Sequence, residues 1–290
     1  MTEHLAGLAV EFEAMRPRLF GIAYRMLGSV VEAQDVVQDV WIRWQATDRS
    51  EIRSPLAFLT TATTRLSITV AASARTRREV YIGPWIPEPV LTGNDPALGA
   101  EKAEALELGL LMLLERLTPN ERAVYVLREA FDYSFSDIAG VLETSEPNAR
   151  QLARRARVHL DGSRTRQVPA AEHDRLLRAF LAAAQSGDLE GLETFFAADV
   201  VVYSDGGGIV TAARRPIRGR DNVTRFFAGI LAKVAADVSV DVVHGNGEEV
   251  FVLSRGGTAV ILCAMSVGDT GIARVYFVLN PDKLTAVQQL

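Results

Sequence analysis

The stretch Asp137-Ile138-Ala139-Gly140-Val141-Leu142-Glu143-Thr144-Ser145-Glu146-Pro147-Asn148-Ala149-Arg150-Gln151-Leu152-Ala153-Arg154-Arg155-Ala156-Arg157-Val158-His159-Leu160 carries two helical patterns separated by a four-residue break. Asp137, Ile138, Ala139, Val141 and Leu142 form a short first helix, and Glu143-Thr144-Ser145-Glu146 is a tight connection. The second helix opens at Pro147, a first-turn position where a missing backbone donor costs little, and Ser145 can cap it through its hydroxyl. Ala149, Leu152, Ala153 and Ala156 recur at helical spacing and define one stripe to be buried. Pro147, Arg150, Gln151, Arg154, Arg155 and Val158 share the opposite face, flanked by Asn148 and Arg157. The small pair Ala139-Gly140 lets two helices cross closely, which makes the stretch a helix-turn-helix. Asn148, Arg150, Gln151, Arg154, Arg155 and Arg157 are then the candidate contacts to phosphates and base edges in a major groove. An arginine-rich helix standing alone reads equally as a solvated face. The preceding helix and turn favour nucleic-acid recognition.

The chain has 290 residues, enough for two or more domains each with a core, and 48% of them are hydrophobic, which excludes a disordered tail protein. With 31 basic against 36 acidic residues the net charge is -5, so nucleic acid must be engaged through local patches and with strong salt dependence. Cys263 is the single cysteine, so no intrachain disulfide can form. The segment holding Glu3, Glu11, Glu13, Arg16 and Arg18 has no apolar signal-like core, and no later apolar run is long enough to span a bilayer. A soluble, cytoplasmic protein with no membrane partner is expected.

Outward from the central motif, the pattern is helical from Leu5 to about Ser73, with Pro55 opening one helix. Arg75-Thr76-Arg77-Arg78 and the broken run Gly83-Pro84-Trp85-Ile86-Pro87-Glu88-Pro89 to Pro96 read as a linker that no regular element crosses. A second helical segment is expected from Leu98 to His159, with Thr118-Pro119-Asn120-Glu121 as a capped start. Asp161-Gly162-Ser163 to Pro169 reads as a hinge. Beyond it, helices are expected over about Ala171 to Phe196 and Asp221 to Ala236. Strands follow over Val238 to Val243, Val250 to Leu253, Ala259 to Met265 and Ala273 to Val278. Glycine-punctuated runs of that length predict an antiparallel sheet of hairpins packed on helices, an α+β domain.

Two separated segments carry a family resemblance. Arg18-Leu19-Phe20-Gly21-Ile22-Ala23-Tyr24-Arg25-Met26-Leu27-Gly28 with Glu32-Ala33-Gln34-Asp35-Val36-Val37-Gln38-Asp39-Val40-Trp41 resembles the first conserved domain of extracytoplasmic-function sigma factors. Thr118-Pro119-Asn120-Glu121-Arg122 and the helix ending at Leu160 resemble the second, in the right order. The remainder is similar to the subgroup with a SnoaL-like extension, a cone-shaped fold shared with small cyclases and isomerases. The motifs of that subgroup stand here as Trp85-Ile86-Pro87-Glu88-Pro89, Asp205-Gly206-Gly207-Gly208 and Asn280-Pro281-Asp282-Lys283-Leu284. Ile209 occupies a position where lysine is usual after the glycines.

The resemblance implies a multi-domain fold. Two all-α helical sigma domains occupy residues 5–78 and 101–162, the second with the helix-turn-helix. A linker over 79–100, a hinge over 163–170 and an α+β SnoaL-like cone over 171–290 complete it. It also implies core RNA polymerase and promoter DNA as partners, with the first domain opening the minus-ten element and the second reading the minus-thirty-five element. Val36, Val37, Val40 and Trp41 give their helix a buried stripe and leave Asp35, Gln38 and Asp39 outward, an acidic face suited to a basic coiled coil of the polymerase. Family position assigns Thr61, Thr64, Arg65 and Ser67 to the non-template strand. Thr69-Val70-Ala71-Ala72 replaces the usual basic residues, so Arg65, Arg75, Arg77 and Arg78 supply the charge.

The extension is expected to regulate the rest of the chain through Trp85, Pro87, Glu88 and Pro89 of the linker with Asp205, Gly206, Gly207, Gly208, Asn280, Pro281, Asp282 and Lys283. Its candidate acid/base residues are Tyr203, Asp205, His244 and Tyr276, with His244 expected in solvent at a hairpin turn beside Gly245-Asn246-Gly247. Asp205-Gly206-Gly207-Gly208 lacks the lysine of a phosphate loop. His4, His159, His173, His244 and Cys263 show no metal-ligand spacing, so no metal, cofactor or catalytic residue is assigned, and a small ligand in the C-terminal domain is left open. Two rival readings remain: a ligand-sensing helix-turn-helix regulator, and a cyclase or isomerase tethered to a DNA-binding module.

Overall fold

The structure is a computed structural model that describes residues 2–92, 107–161, 168–231 and 238–288. Residues 93–100 of the expected linker, 98–106 of the expected second helical segment, 162–167 of the expected hinge and 232–236 of an expected helix lie outside the described residues. The described chain divides into two compact units, one of residues 2–79 and 113–161, the other of residues 80–92, 107–112, 168–231 and 238–288.

The first unit is helical. Helices α1 (Thr2–Leu27), α2 (Val30–Ala46) and α3 (Pro55–Glu79) pack on one another. Ser29 caps α2 by accepting from the Glu32 N–H. Phe12, Leu19, Val37, Val40, Trp44 and Leu59 form the core between them, each such apolar side chain contributing about 1.5–3 kcal/mol by leaving water. The sequence stops α3 at about Ser73 and assigns Arg75 to Arg78 to the linker; the helix instead runs on to Glu79. Cations suit a helix C-terminus. Arg77 pairs with Glu32, and Arg78 pairs with Glu115 and donates to the Leu27 carbonyl, so this last turn is held in place.

Helix α4 (Leu108–Leu114) precedes α5 (Pro119–Tyr125), which a reciprocal Thr118–Glu121 capping box starts, and a π-helical turn (Val126–Ala130) continues it. Helices α6 (Phe135–Val141) and α7 (Glu146–Leu160) are the helix-turn-helix. Ser134 caps α6 with its own capping box to Asp137, so the helix starts two residues ahead of the position read from sequence, and Ser145 caps α7 by accepting from the Asn148 N–H.

The second unit is built on a six-stranded sheet in the order β2-β1-β6-β5-β4-β3. The strands are β1 (Phe196–Asp205), β2 (Ile217–Arg218), β3 (Val238–Gly245), β4 (Glu248–Arg255), β5 (Thr258–Gly268) and β6 (Gly271–Val278). The expected antiparallel sheet is therefore corrected to a mixed one. β1 runs parallel to β6, with Tyr203 opposite Tyr276 and Asp205 opposite Val278. An expectation of strands only from residue 238 onward leaves out β1 and β2. The β3–β4 turn is Asn246-Gly247, with φ of 55 and 85°, the two positive angles that a two-residue hairpin requires. The single helix expected over 171–196 is two, α8 (Ala170–Ser186) and α9 (Leu189–Phe195), because Gly187 takes a left-handed φ of 72° and Asp188 caps a new start. Helix α10 is Arg220–Leu231.

Alternation along the strands separates two cores. On one face Phe251, Cys263, Met265, Val275 and Phe277 pack with Leu177, Phe180, Leu192, Val223 and Phe227 of the helices. Phe180, Phe196, Phe227 and Phe277 meet ring to ring at centroid distances of 5.3–5.7 Å, so this face is filled by aromatic packing. On the other face Val250, Val252, Leu262, Ala264, Tyr276 and Val278 are covered by Ile86, Leu108, Leu284 and Val287.

Candidate nucleic-acid interface and linker site

On α7 the stripe Ala149, Leu152, Ala153, Ala156 and Leu160 is buried, and Arg150, Gln151 and Arg154 are exposed. Arg150 is held in place: it pairs with Glu146, and its guanidinium lies 4.7 Å from the Phe135 ring centroid. Arg128 stacks on the same ring at 5.2 Å. Arg154 has no partner among the described residues. Arg155 and Arg157 differ from it, since each faces a carboxylate of its own unit, Glu121 at 3.6 Å and Glu129 at 2.7 Å. Asn148 donates its side-chain amide to the Thr144 hydroxyl at 2.8 Å, so it braces the turn. The geometry therefore sorts the six candidates into an outward group of Arg150, Gln151 and Arg154 and a braced group of Asn148, Arg155 and Arg157.

Asp35, Gln38 and Asp39 are exposed on α2, while Val36, Val37, Val40 and Trp44 are buried. The strand-facing candidates on α3 fall differently. Thr64 and Ser67 are fully buried, and their hydroxyls have no hydrogen-bond partner among the described residues. Contact of these two with a DNA strand is thus not available in this conformation, in which α3 is packed against α1, α2, α5 and α6. Thr61 donates to the Ala57 carbonyl within its own helix. Arg65 donates to the Val141 carbonyl at 2.7 Å and the Gly140 carbonyl at 3.1 Å, and pairs with Glu143 at 2.8 Å.

In the second unit the three motifs of the extension and linker converge on one buried carboxylate. Asp205 Oδ1 accepts from the Tyr81 hydroxyl at 2.6 Å and the Gly207 N–H at 3.0 Å. Its Oδ2 accepts from the Ile86 N–H and from Lys283 Nζ, both at 2.8 Å. Lys283 also donates to the Ile86 carbonyl and lies 4.2 Å from the Trp85 ring centroid and 5.1 Å from that of Tyr81. Burial raises the Tyr81 phenol well above its ordinary range, and the hydrogen bond to Asp205 adds to the shift. Asn280 caps the 3₁₀ turn Pro281–Lys283 through the Asp282 N–H and donates to Tyr81. Only glycine fits at position 207, where φ is 63° and a Cβ would stand 2.5 Å from the Asn280 amide. Gly206 is as confined, with a Cβ position 2.4 Å from the Val210 carbonyl. The exposed Ile209 takes no part; Lys283 supplies the cation of this site.

The linker packs against the sheet domain. Ile86, Pro87, Pro89 and Val90 are buried, and Glu88 is half-buried. Val90 and Asn246 exchange hydrogen bonds at 2.8 and 2.9 Å, and Thr92 bonds to His244 and Gly247. Tyr81 and Asn246 are the two residues of this site that sequence reasoning misses. The position of Asn246 in an Asn-Gly turn is the available signal, whereas an isolated tyrosine carries none.

The acid/base candidates are dispersed. Asp205 is saturated with hydrogen bonds, His244 is exposed on β3, and Tyr276 is buried and stacked on Tyr203 at 5.7 Å, with burial pushing its phenol well above the ordinary range. A cavity of about 220 Å³ behind the glycine loop is lined by Ile82, Gly83, Ser204 and residues 208–214. Among the described residues no group of three or more His, Cys, Asp or Glu side chains could hold a metal ion, and no described helix is long and apolar enough to cross a membrane.

The family description "Sigma-70 region 2" matches residues 12–78, "Sigma-70, region 4" residues 108–160, and "SnoaL-like domain" residues 177–278. The chain is 36% identical over 289 residues to the ECF RNA polymerase sigma factor SigJ of Mycobacterium tuberculosis, covering 95% of this chain and 92% of that one. This chain belongs to the ECF RNA polymerase sigma factors. Its fold matches the crystal structure of SigJ with a TM-score of 0.77 at 33% identity, over 96% of this chain and 98% of the other. A protein of the same organism described as "Probable ECF RNA polymerase sigma factor SigI" is 34% identical over 196 residues, 66% of this chain and 67% of that one. In this sigma factor most of α1 with α2 and α3 is thus region 2, the segment from α4 through the helix-turn-helix is region 4, and the sheet domain is the SnoaL-like extension.

Proposed function

We propose that this sigma factor docks on core RNA polymerase in the cytoplasm through Asp35, Gln38 and Asp39, and reads the minus-thirty-five element with Arg150, Gln151 and Arg154. The extension regulates it without catalysing a reaction, through the linker site centred on Asp205. The single observation that supports promoter reading most is α7 itself: a capped helix with one buried apolar stripe, and Arg150 held between Phe135 and Glu146 so that its guanidinium is fixed before DNA arrives. A fixed fork loses less entropy on binding a guanine edge or a phosphate than a free one.

The acidic face of α2 supports polymerase docking by charge complementarity, which sets encounter rate and orientation. Asp205 supports regulation because it ties the linker between regions 2 and 4 to the extension; a change there alters the path available to the chain between the two DNA-binding regions. The test is transcription in vitro with purified core polymerase, comparing the intact chain with Asp35→Lys/Asp39→Lys and with Lys283→Met. Loss of polymerase co-purification in the first and altered transcript yield in the second are expected. Unchanged behaviour in both would overturn the reading.

A further inference from the structure

Two side chains of α3, Thr60 and Arg65, reach region 4 of the same unit and bracket the groups expected to meet single-stranded DNA. The Thr60 hydroxyl meets the Tyr133 hydroxyl at 3.0 Å, just ahead of α6. Thr64 follows one turn later on the same ridge and is fully buried, as are Thr63 and Ser67 nearby. The hydroxyls of Thr63, Thr64 and Ser67 have no hydrogen-bond partner among the described residues. Hydroxyls buried without partners are a poor match for a permanent protein interface, where apolar side chains of the same volume would pack at less cost. They suit a surface that exchanges this cover for a polar partner.

Arg65 borders that ridge and closes it. Its guanidinium spends three donors on the end of α6 and the turn after it: the Gly140 and Val141 carbonyls and the Glu143 carboxylate. Carbonyls at a helix C-terminus carry the negative end of the helix dipole, so they add to the hold of the Glu143 carboxylate on the cation. Glu143 itself sits at a φ of 50°, fixed in the turn of the helix-turn-helix.

We propose that Arg65 is an autoinhibitory latch: it fastens the helix-turn-helix over the Thr60–Thr64–Ser67 ridge of α3, so that the strand-facing groups are covered until region 4 is drawn away. The proposal rests on the sigma-factor reading for the identity of the strand, though not for the latch itself. A phosphate is the competing partner for Arg65, since it offers the same bidentate acceptor geometry with more charge. Opening then transfers Arg65 from the Gly140 and Val141 carbonyls and the Glu143 carboxylate to the DNA backbone, and one residue serves both the closed and the engaged state. The equilibrium shifts only as far as the difference in affinity between the two states allows.

The test is the alkylation rate of a thiol placed on the ridge, Thr64→Cys, in the full-length chain, read by mass spectrometry so that buried Cys263 is scored separately. Ser67→Cys is the second reporter should the first perturb folding, and Ser73→Cys, at an exposed position, is the reference. With Arg65 intact, the thiols of Thr64→Cys and Ser67→Cys should react at least about tenfold more slowly than that of Ser73→Cys. Arg65→Glu, which sets a carboxylate against two carbonyls and Glu143, should remove most of that difference. Equal rates for all three reporters with Arg65 intact, or slow ridge rates that Arg65→Glu leaves unchanged, would overturn the latch. Transcription of the unmodified chain with core polymerase reads the sigma function separately: failure there with protected, Arg65-dependent thiols sinks the functional reading alone.

Discussion

Lys283 Nζ stands 2.8 Å from Asp205 Oδ2 with both side chains buried, and the remaining valences of the pair go to Tyr81, Gly207 and the two backbone groups of Ile86. A buried ion pair survives desolvation only when its lone pairs and protons are satisfied in this way. Removing one partner strands the other. Asp205→Ala should therefore lower the stability of the second unit by about 3–5 kcal/mol, and its Tm by on the order of 10 °C. Lys283→Met should cost a comparable amount, and the double variant less than the sum. Calorimetry of the four chains gives the coupling; additive losses would mean that the two residues act independently.

A second carboxylate, largely buried, meets an imidazole where Asp205 meets an ammonium. Burial holds Glu248 well above the usual carboxylate range, with the negative charges of Glu107 and Asp174 adding to the shift. His173 faces it at 3.4 Å, although the same ring nitrogen bonds the Met265 carbonyl at 3.0 Å and the other meets Asp174 at 3.2 Å. A carboxyl whose folded pKa is raised costs stability as pH climbs from its unfolded value through the folded one. Glu248→Gln stays neutral, so it should match the wild type near pH 4.5 and exceed it increasingly as pH rises. Urea midpoints taken between about pH 5 and 8 should diverge in that direction, and parallel curves would refute the assignment.

Gly109 opens α4 where a Cβ would come within 2.6 Å of the Ser266 hydroxyl and 3.1 Å of the Tyr276 hydroxyl. Gly109→Ala should cost about 1–3 kcal/mol through overpacking, despite the better helix propensity of alanine. Ser266→Ala removes the nearer atom and should restore part of the loss. A stabilised Gly109→Ala chain would show that this approach is looser than described.

Arg150 and Arg154 should behave differently from Arg155 and Arg157 in promoter binding. Alanine at either of the first two should relax sequence choice in the upstream element by about 1–3 kcal/mol. Alanine at 155 or 157, where Glu121 and Glu129 already hold the side chains, should weaken all sequences alike and reduce the salt slope. Binding titrations against cognate and scrambled elements at several salt concentrations separate the two classes. Equal loss of specificity at all four positions would refute the division.

The helix-turn-helix is legible in sequence because one helix has to satisfy a buried stripe, a capping serine and an outward arginine row at once, and few other folds of Asp137 to Leu160 do so. The linker is legible only as a stretch without regular structure, because proline and glycine report what the backbone cannot do and say nothing about burial: Pro87 and Pro89 exclude regular structure while packing against the sheet domain. Strand β1 escapes notice because Val200, Val201 and Val202 sit between a helix and a glycine loop, a run too short to show its period. The break at Gly187-Asp188 is visible as a C-cap glycine followed by a capping aspartate, a signal outweighed by the apolar periodicity on both sides. The burial of Thr64 and Ser67 cannot be read at all, since a threonine ridge looks like a wet helix face until its neighbours are known.

The stitching of Tyr81 to Thr92 and of Leu108 into the sheet domain bears on how such a protein can be inherited or rebuilt. A graft that carried only the chain beyond Pro169 onto another protein would keep Leu284 and Val287 but lose Ile86 and Leu108 from over Val252, Leu262, Ala264 and Val278, and would leave Asp205 and Lys283 lacking half of their hydrogen bonds. The heritable module is discontinuous: it includes the peptide that separates the two DNA-binding regions. Recombination that respects it must exchange that peptide together with the tail, so the segment between the promoter-reading parts and the sheet domain it packs on pass between chains as one piece.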